Sequence, residues 1–244
     1  MLLFCQLYLA HLLADFVFQP DRIAQNKRRA GPLAAHAAIH AATSLAAVNL
    51  GLSWGIAGAI LTLSAVHLLL DIAKARYSND GWVAFAIDQA THVLLIAAAA
   101  AWLSADPSSQ PAALLRRLAT TRDPYLYLAG YIGVVLGGGY FVQRVARSFL
   151  ERIDAGSADY KPGLPNAGRY IGWVERFLIL TFVLGGYSDA IGFLLAAKAL
   201  ARYPEISQDK KGHFAEYFLI GTLTSVGLAL IGGMIILRLR DIPS

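Results

Sequence analysis

The sequence predicts an all-α, polytopic helical membrane protein of about eight transmembrane helices, with a four-helix front half carrying inward polar pairs. Three observations predict it. Of 244 residues, 57% are hydrophobic and only 15% are charged, whereas an average soluble domain is roughly 25% charged. The mean hydropathy is +0.51. Apolar runs recur along the whole chain, and in a bilayer a spanning segment must satisfy its own backbone polar groups, as a helix does. Eight spans of about 20 residues would use about two thirds of the chain, leaving loops but no separate soluble domain.

The first span is expected at 2–19. It has no basic n-region and no small-residue cleavage site, and it carries His11 and Asp15, so it reads as a retained span rather than a leader. Spans at 33–50, 55–76 and 82–103 follow and complete a bundle over residues 1–105. Residues 106–124, with Pro107, Pro111, Arg116 and Arg117, read as a linker holding a short amphipathic interfacial helix. The back half, 125–244, holds spans at 125–147, 169–186, 188–203 and 214–238. The middle two are short and meet at Gly185-Gly186-Tyr187-Ser188-Asp189, which fits either a tilted pair or a re-entrant hairpin.

The net charge of +5 does not point to nucleic acid, because the basic residues lie in short loops rather than on one aromatic-interleaved face. They follow membrane topology instead. With the 20–32 loop inside, fifteen of the twenty-one Lys and Arg residues lie on the cytoplasmic side, which places both termini outside the cytoplasmic (inner) membrane. The single cysteine, Cys5, excludes an internal disulfide and any multi-cysteine zinc or iron–sulfur site, leaving oxygen and nitrogen ligands.

Those ligands are conspicuous. Five of the six histidines lie in the first four apolar segments, and each has a histidine or aspartate four residues away: His11/Asp15, His36/His40, His67/Asp71 and Asp88/His92. This spacing puts both side chains on one helix face, as helical bundles present metal ligands inward. In an up-down bundle all four pairs fall at one level near the cytoplasmic face. Five imidazoles and three carboxylates suffice for one or two divalent ions, zinc first and manganese or iron as alternatives. Asp15, Asp71 and Asp88 are also the candidate general bases. Gln19, Lys74 and Gln89 border the same level as groups that orient ligands or substrate.

Hydrogen-bonded glue between helices is the plainer reading, and the magnitudes disfavour it. Interhelical hydrogen bonds are worth about 0.6 to 2 kcal/mol each, whereas a mid-bilayer aspartate costs about 2.5 to 3.5 kcal/mol. Structural zinc binding is worth on the order of 10 kcal/mol. In the back half, Glu175, Arg176, Lys198 and Glu216 read as ion pairs between helices, or as a cationic cradle in which Arg176 and Lys198 hold an anionic head group. His213 reads as a solvated residue at a loop edge. Glycines 137–139 with Gly130 and Gly133 read as close helix packing, since no strand precedes them and no P-loop lysine follows.

The run His11-Leu12-Leu13-Ala14-Asp15-Phe16 through Gln19, the His36–His40 pair, His67-Leu68-Leu69-Leu70-Asp71 through Lys74, and Asp88-Gln89-Ala90-Thr91-His92 together resemble a bacterial membrane family known as domain of unknown function 3307. The resemblance spans about the first 105 residues. Gly172-Trp173-Val174-Glu175-Arg176, Ala196-Ala197-Lys198 and Glu216-Tyr217 through Gly221-Thr222 resemble the extension of its longer members, in which a serine is expected where this chain has Ala199. The His-Leu-Leu-Ala-Asp run is more loosely similar to membrane-bound metal-dependent hydrolases, an analogy of fold.

Two functions of different class follow. The first is a membrane-embedded metal-dependent hydrolase acting on a lipid-like ester or phosphoester, with membrane lipid as its surroundings and no nucleic-acid partner. The second is a divalent-metal transporter or an ion or proton relay. Carriers favour midplane sites and repeated halves, and neither is visible here. A di-iron lipid oxygenase ranks lower, because His-x-x-His-His boxes are absent. Oligomeric state is not encoded in any motif.

Overall fold

The computed structural model describes the chain except residues 25, 27–28, 49–53, 79–80, 106–121, 154–165, 209–212 and 243–244. The described residues are helical, with no strand among them. The helices are α1 (Leu2–Phe16), a single turn α2 (Asp21–Ala24), α3 (Ala30–Val48), α4 (Trp54–Tyr77) and α5 (Trp82–Ala105). Then come α6 (Arg122–Ile132), a π-helical turn (Gly133–Gly137), α7 (Gly138–Ile153), α8 (Ala167–Gly185), α9 (Ser188–Gln208) and α10 (His213–Arg240). The interfacial helix expected within 106–124 lies largely outside the described residues, and 122–124 form the first turn of α6.

Among the described residues, four stretches are long and apolar enough to cross a membrane: Ala57–Lys74, Trp82–Leu103, Arg122–Phe149 and His213–Arg240. The helix α1 is apolar but shorter, at 15 residues. These features identify a membrane protein. The burial pattern says the same: Leu61, Leu69, Ile87, Leu94 and Trp102 face outward on α4 and α5, while His67, Asp71, His92 and Ser64 are buried. Polar groups inside and large apolar groups outside suit a lipid surround and would expose an apolar patch in water.

The chain divides into two units, Met1–Ile132 and Gly133–Ile242. In the first, α1 packs against α3 and α5, α3 against α4, and α4 against α5, which closes a four-helix ring; α6 packs on the other side of α1. Being surrounded, α1 buries residues on most of its faces, and Ala10 and Ala14 are fully buried where neighbouring helices approach. Leu7, Val48, Ile60, Ile96, Ala100 and Leu103 form an apolar layer contributed by all four ring helices. The layer fills one end of the ring and leaves the other end to the polar pairs.

In the second unit, α10 packs against α7, α8 and the π-helical turn, and α8 also packs on that turn. Ile179, Val226 and Ala229 form its core with Val134, Val183 and Leu230 around them. Gly186, at φ 76°, closes α8 in the left-handed conformation that glycine adopts without strain, so α9 begins after a two-residue turn. At Gly233, an added Cβ would lie 2.5 Å from Val183 Cγ1 and 3.0 Å from its Cβ. Gly233→Ala therefore should lower stability by about 1 to 3 kcal/mol, as overpacking does, read as a fall in the thermal midpoint in detergent. Gly227, with open space around its Cβ position, is the control and should tolerate alanine.

Candidate metal centre

The ring helices present the four pairs in two tiers. His36, Asp71 and Asp88 each stand six residues from the helix end nearest the site, and Asp15 stands one from its own. The partner of each lies four residues further from that end, about 6 Å deeper along the axis. The outer tier is thus Asp15, His36, Asp71 and Asp88, and the inner tier is His11, His40, His67 and His92. A cavity of about 20 Å³ is lined by all four inner imidazoles together with Ser44 and Ser64. That volume admits one water or one ion.

The five imidazoles form one connected cluster. His67 is the hub, with ring centroids 3.7 Å from His40, 4.1 Å from His92, and 5.4 Å from both His36 and His11. All five are buried, His36 completely. The tiers touch through their polar atoms. Asp15 Oδ1 lies 2.9 Å from His40 Nε2 and 3.3 Å from His36 Nε2. Asp71 Oδ2 lies 3.1 Å from His36 Nε2 and 3.7 Å from His67 Nε2, and the two Nε2 atoms are 3.4 Å apart. His11 Nε2 is 3.7 Å from Asp15 Oδ2.

These separations test whether a metal fits. Two ligand atoms on a tetrahedral zinc, each about 2.0 to 2.1 Å from the ion, stand roughly 3.4 Å apart. The distances within the set Asp71, His36 and His67 bracket that value. Three groups offer ligand atoms that all lie within 4.8 Å of one another: His11, Asp15, His40 and His67; His36, His67 and Asp71; and Asp71, Asp88 and His92.

The tautomer of His92 is arranged to match. His92 Nδ1–H donates to the Asp88 carbonyl at 2.8 Å, so Nε2 carries the free lone pair. That Nε2 is buried and has no hydrogen-bond partner among the described residues; the same holds for His11 Nε2. The Gln19 amide lies 3.1 Å from His36 Nδ1. Its nitrogen is the atom that faces Nδ1, so Gln19 donates there and His36 Nε2–H faces the carboxylates; a metal at Nε2 would require the amide to turn its oxygen to Nδ1.

Asp88 has partners that Asp15 and Asp71 lack. Its Oδ2 accepts from Lys74 Nζ at 2.7 Å and from Gln89 Nε2 at 3.4 Å, and its Oδ1 lies 3.6 Å from His92 Nδ1, which is already bonded to the backbone. Lys74 is 29% exposed and Asp88 8%, so this pair connects the buried cluster with the surface. With neutral imidazoles, the three carboxylates and one ammonium leave a formal charge of −2, which one divalent cation would balance.

The back-half residues follow a different pattern. Lys198 Nζ donates to Glu175 Oε2, the ion pair expected from sequence. Arg176 is not part of that pair. It is buried and donates to the Val135 carbonyl and to Ser225 Oγ. Glu216 is exposed and joins no ion pair among the described residues. His213 opens α10 half-buried rather than fully solvated. Sequence reasoning missed Ser44 and Ser64, which line the inner cavity; their spacing of four and three residues from His40 and His67 puts them on the same helix faces.

Residues 3–116 match the family model described as protein of unknown function (DUF3307), in agreement with the resemblance carried by the motifs. The match covers all four ring helices and every one of the His/Asp pairs. No curated protein and no solved structure matches the chain.

Proposed function

We propose that this DUF3307 domain holds a divalent metal, zinc first, and uses it to hydrolyse a lipid-like ester or phosphoester at the membrane. A single observation supports the reading most: imidazole nitrogens and carboxylate oxygens from three separate helices approach at ligand–ligand distances around a nearly dry interior. Asp15, Asp71, His36 and His67 are the ligand set, and the inner imidazoles His11, His40 and His92 back it or hold a second ion. A bound divalent ion would acidify its water and polarise the substrate oxygen.

The chain's own groups divide the remaining work. Asp88, beside the ligands yet turned to Lys74, is placed to take a proton. Lys74 donates to that carboxylate and stands at the rim, where its ammonium would meet an anionic substrate. Gln89 steadies the same carboxylate. The outer tier lies within two helical turns of the ring's polar end, so an ester at a lipid head group would be within reach while its acyl chains stay in the bilayer.

The test is a panel of lipid and activated esters and phosphoesters, with metal-loaded and chelator-treated full chain in detergent. Metal-dependent turnover supports the reading. Asp88→Asn should keep the metal and lower turnover by about 10² to 10⁴, the usual loss with a general base. Metal-loaded protein that is inert across the panel, while proteoliposomes move the ion, would establish the alternative, a divalent-metal transporter.

A further inference from the structure

The second unit contains a cavity of about 820 Å³, lined by both charged and apolar groups. Glu175, Arg176 and Lys198 supply the charge, and Ile171, Val174 and Phe218 are among the apolar walls. This volume is within the usual range for small-molecule sites, about 300 to 1,000 Å³.

Arg176 is set into this cavity by the local backbone. The π-helical turn Gly133–Gly137 shifts the backbone hydrogen-bond register, and the Val135 carbonyl within it accepts from Arg176 Nε at 3.1 Å and from Nη2 at 3.0 Å. Nη1 donates to Ser225 Oγ at 3.2 Å. Glycines make the space: a Cβ on Gly139 would stand 2.7 Å from Nη2, and one on Gly172 3.2 Å from Nη1. A guanidinium has five N–H groups, and these bonds use three. No carboxylate lies within ion-pairing distance of Arg176 among the described residues, and Glu175 is held by Lys198. The three groups together therefore carry one net positive charge.

Glu175 adds a second requirement. Its side chain is 5% exposed, and Oε1 is buried without a hydrogen-bond partner among the described residues. A buried carboxylate oxygen calls for a donor. The cavity thus asks for an anion that also carries a hydroxyl. Ile171 and Val174 in its wall are themselves exposed, 49% and 59%, so the opening meets an apolar surround. A soluble anion would gain nothing from such walls; acyl chains would.

We infer that this cavity binds an anionic phospholipid whose head group bears a hydroxyl, with the phosphate against Arg176 and Lys198 and the hydroxyl donating to Glu175 Oε1. Arg169, exposed at the start of α8 and stacked 5.1 Å from the Trp173 ring, lines the same cavity and extends its positive field. The inference is independent of the metal centre.

Native mass spectrometry of the full chain tests it, with phosphatidylglycerol, phosphatidylcholine and phosphatidylethanol of identical acyl chains. Phosphatidylglycerol should be retained at least fivefold over phosphatidylcholine. It should also exceed phosphatidylethanol, which has the same charge but no head-group hydroxyl. Lys198→Gln should reduce the preference over phosphatidylcholine about fivefold, as loss of one cation near a lipid phosphate does. Ala201→Trp, which fills the cavity from an exposed position in its wall, should lower retention of phosphatidylglycerol itself. Equal retention of the three lipids, displacement of phosphatidylglycerol by millimolar inorganic phosphate, or unchanged binding in both folded variants would overturn the proposal.

Discussion

Replacing His67 with alanine should weaken zinc binding more than 100-fold while leaving the helical fold in place. Even groups that only orient ligands typically cost 10- to 100-fold in metal affinity when removed. His67 does more: its Nε2 stands 3.4 Å from His36 Nε2 and 3.7 Å from Asp71 Oδ2, and its ring touches the four other imidazoles. The measurement is chelator-competition titration of the detergent-purified variant, with far-UV circular dichroism as the check on folding. A folded variant that binds zinc as tightly as the parent would remove His67 from the ligand set.

Asp71→Asn should produce a pair of effects that a purely structural role cannot. Asp71 is buried at 4% exposure and lies close to His36 and His67. In the metal-loaded protein the substitution removes a ligand, so the rise in thermal midpoint on adding zinc should vanish. A ligand at 100 times its Kd stabilises by about 2.7 kcal/mol, so the lost shift is several degrees. In the metal-free protein the same substitution lowers a formal charge of −2 to −1 among groups that are costly to bury, so the apo midpoint should hold or rise. If the cluster were hydrogen-bonded glue, both forms would be destabilised alike.

Much of the ring was visible in the one-dimensional pattern, because spacing of four residues on a helix is a strict geometric statement. His11/Asp15, His36/His40, His67/Asp71 and Asp88/His92 had to share faces, and alternation of span direction had to bring them to one end. The division into tiers was less visible. It depends on which member of each pair is nearer its helix end, and the order His-then-Asp in α1 and α4 but Asp-then-His in α5 becomes meaningful only once the helices alternate. The pairing of Asp88 with Lys74 depended on a reach across a helix–helix contact, which no local spacing encodes.

The back half was harder to read for a physical reason. Glycines 137–139 suggested close packing, and Gly139 does permit a close approach, but of the Arg176 guanidinium and the Trp173 ring rather than of a bare helix face. The approach depends on a π-helical turn, and nothing in Gly133-Val134-Val135-Leu136-Gly137 distinguishes such a turn from ordinary helix by composition. The charged set was expected to neutralise itself; Glu175 and Lys198 do so, whereas Arg176 takes a carbonyl and a hydroxyl instead, and Glu216 faces outward. Ion-pair partners across helices follow from side-chain direction, which sequence order does not fix.

The central claim is that one buried cation is held by side chains from α1, α3 and α4. X-ray absorption at the zinc edge, on full-length protein equilibrated with one equivalent of zinc, tests it most directly. The account predicts a first shell of nitrogen and oxygen at about 2.0 to 2.1 Å, with the outer-shell scattering of at least two imidazole rings, and loss of that ring scattering in His67→Ala. A spectrum of hydrated zinc with no imidazole signal would contradict it.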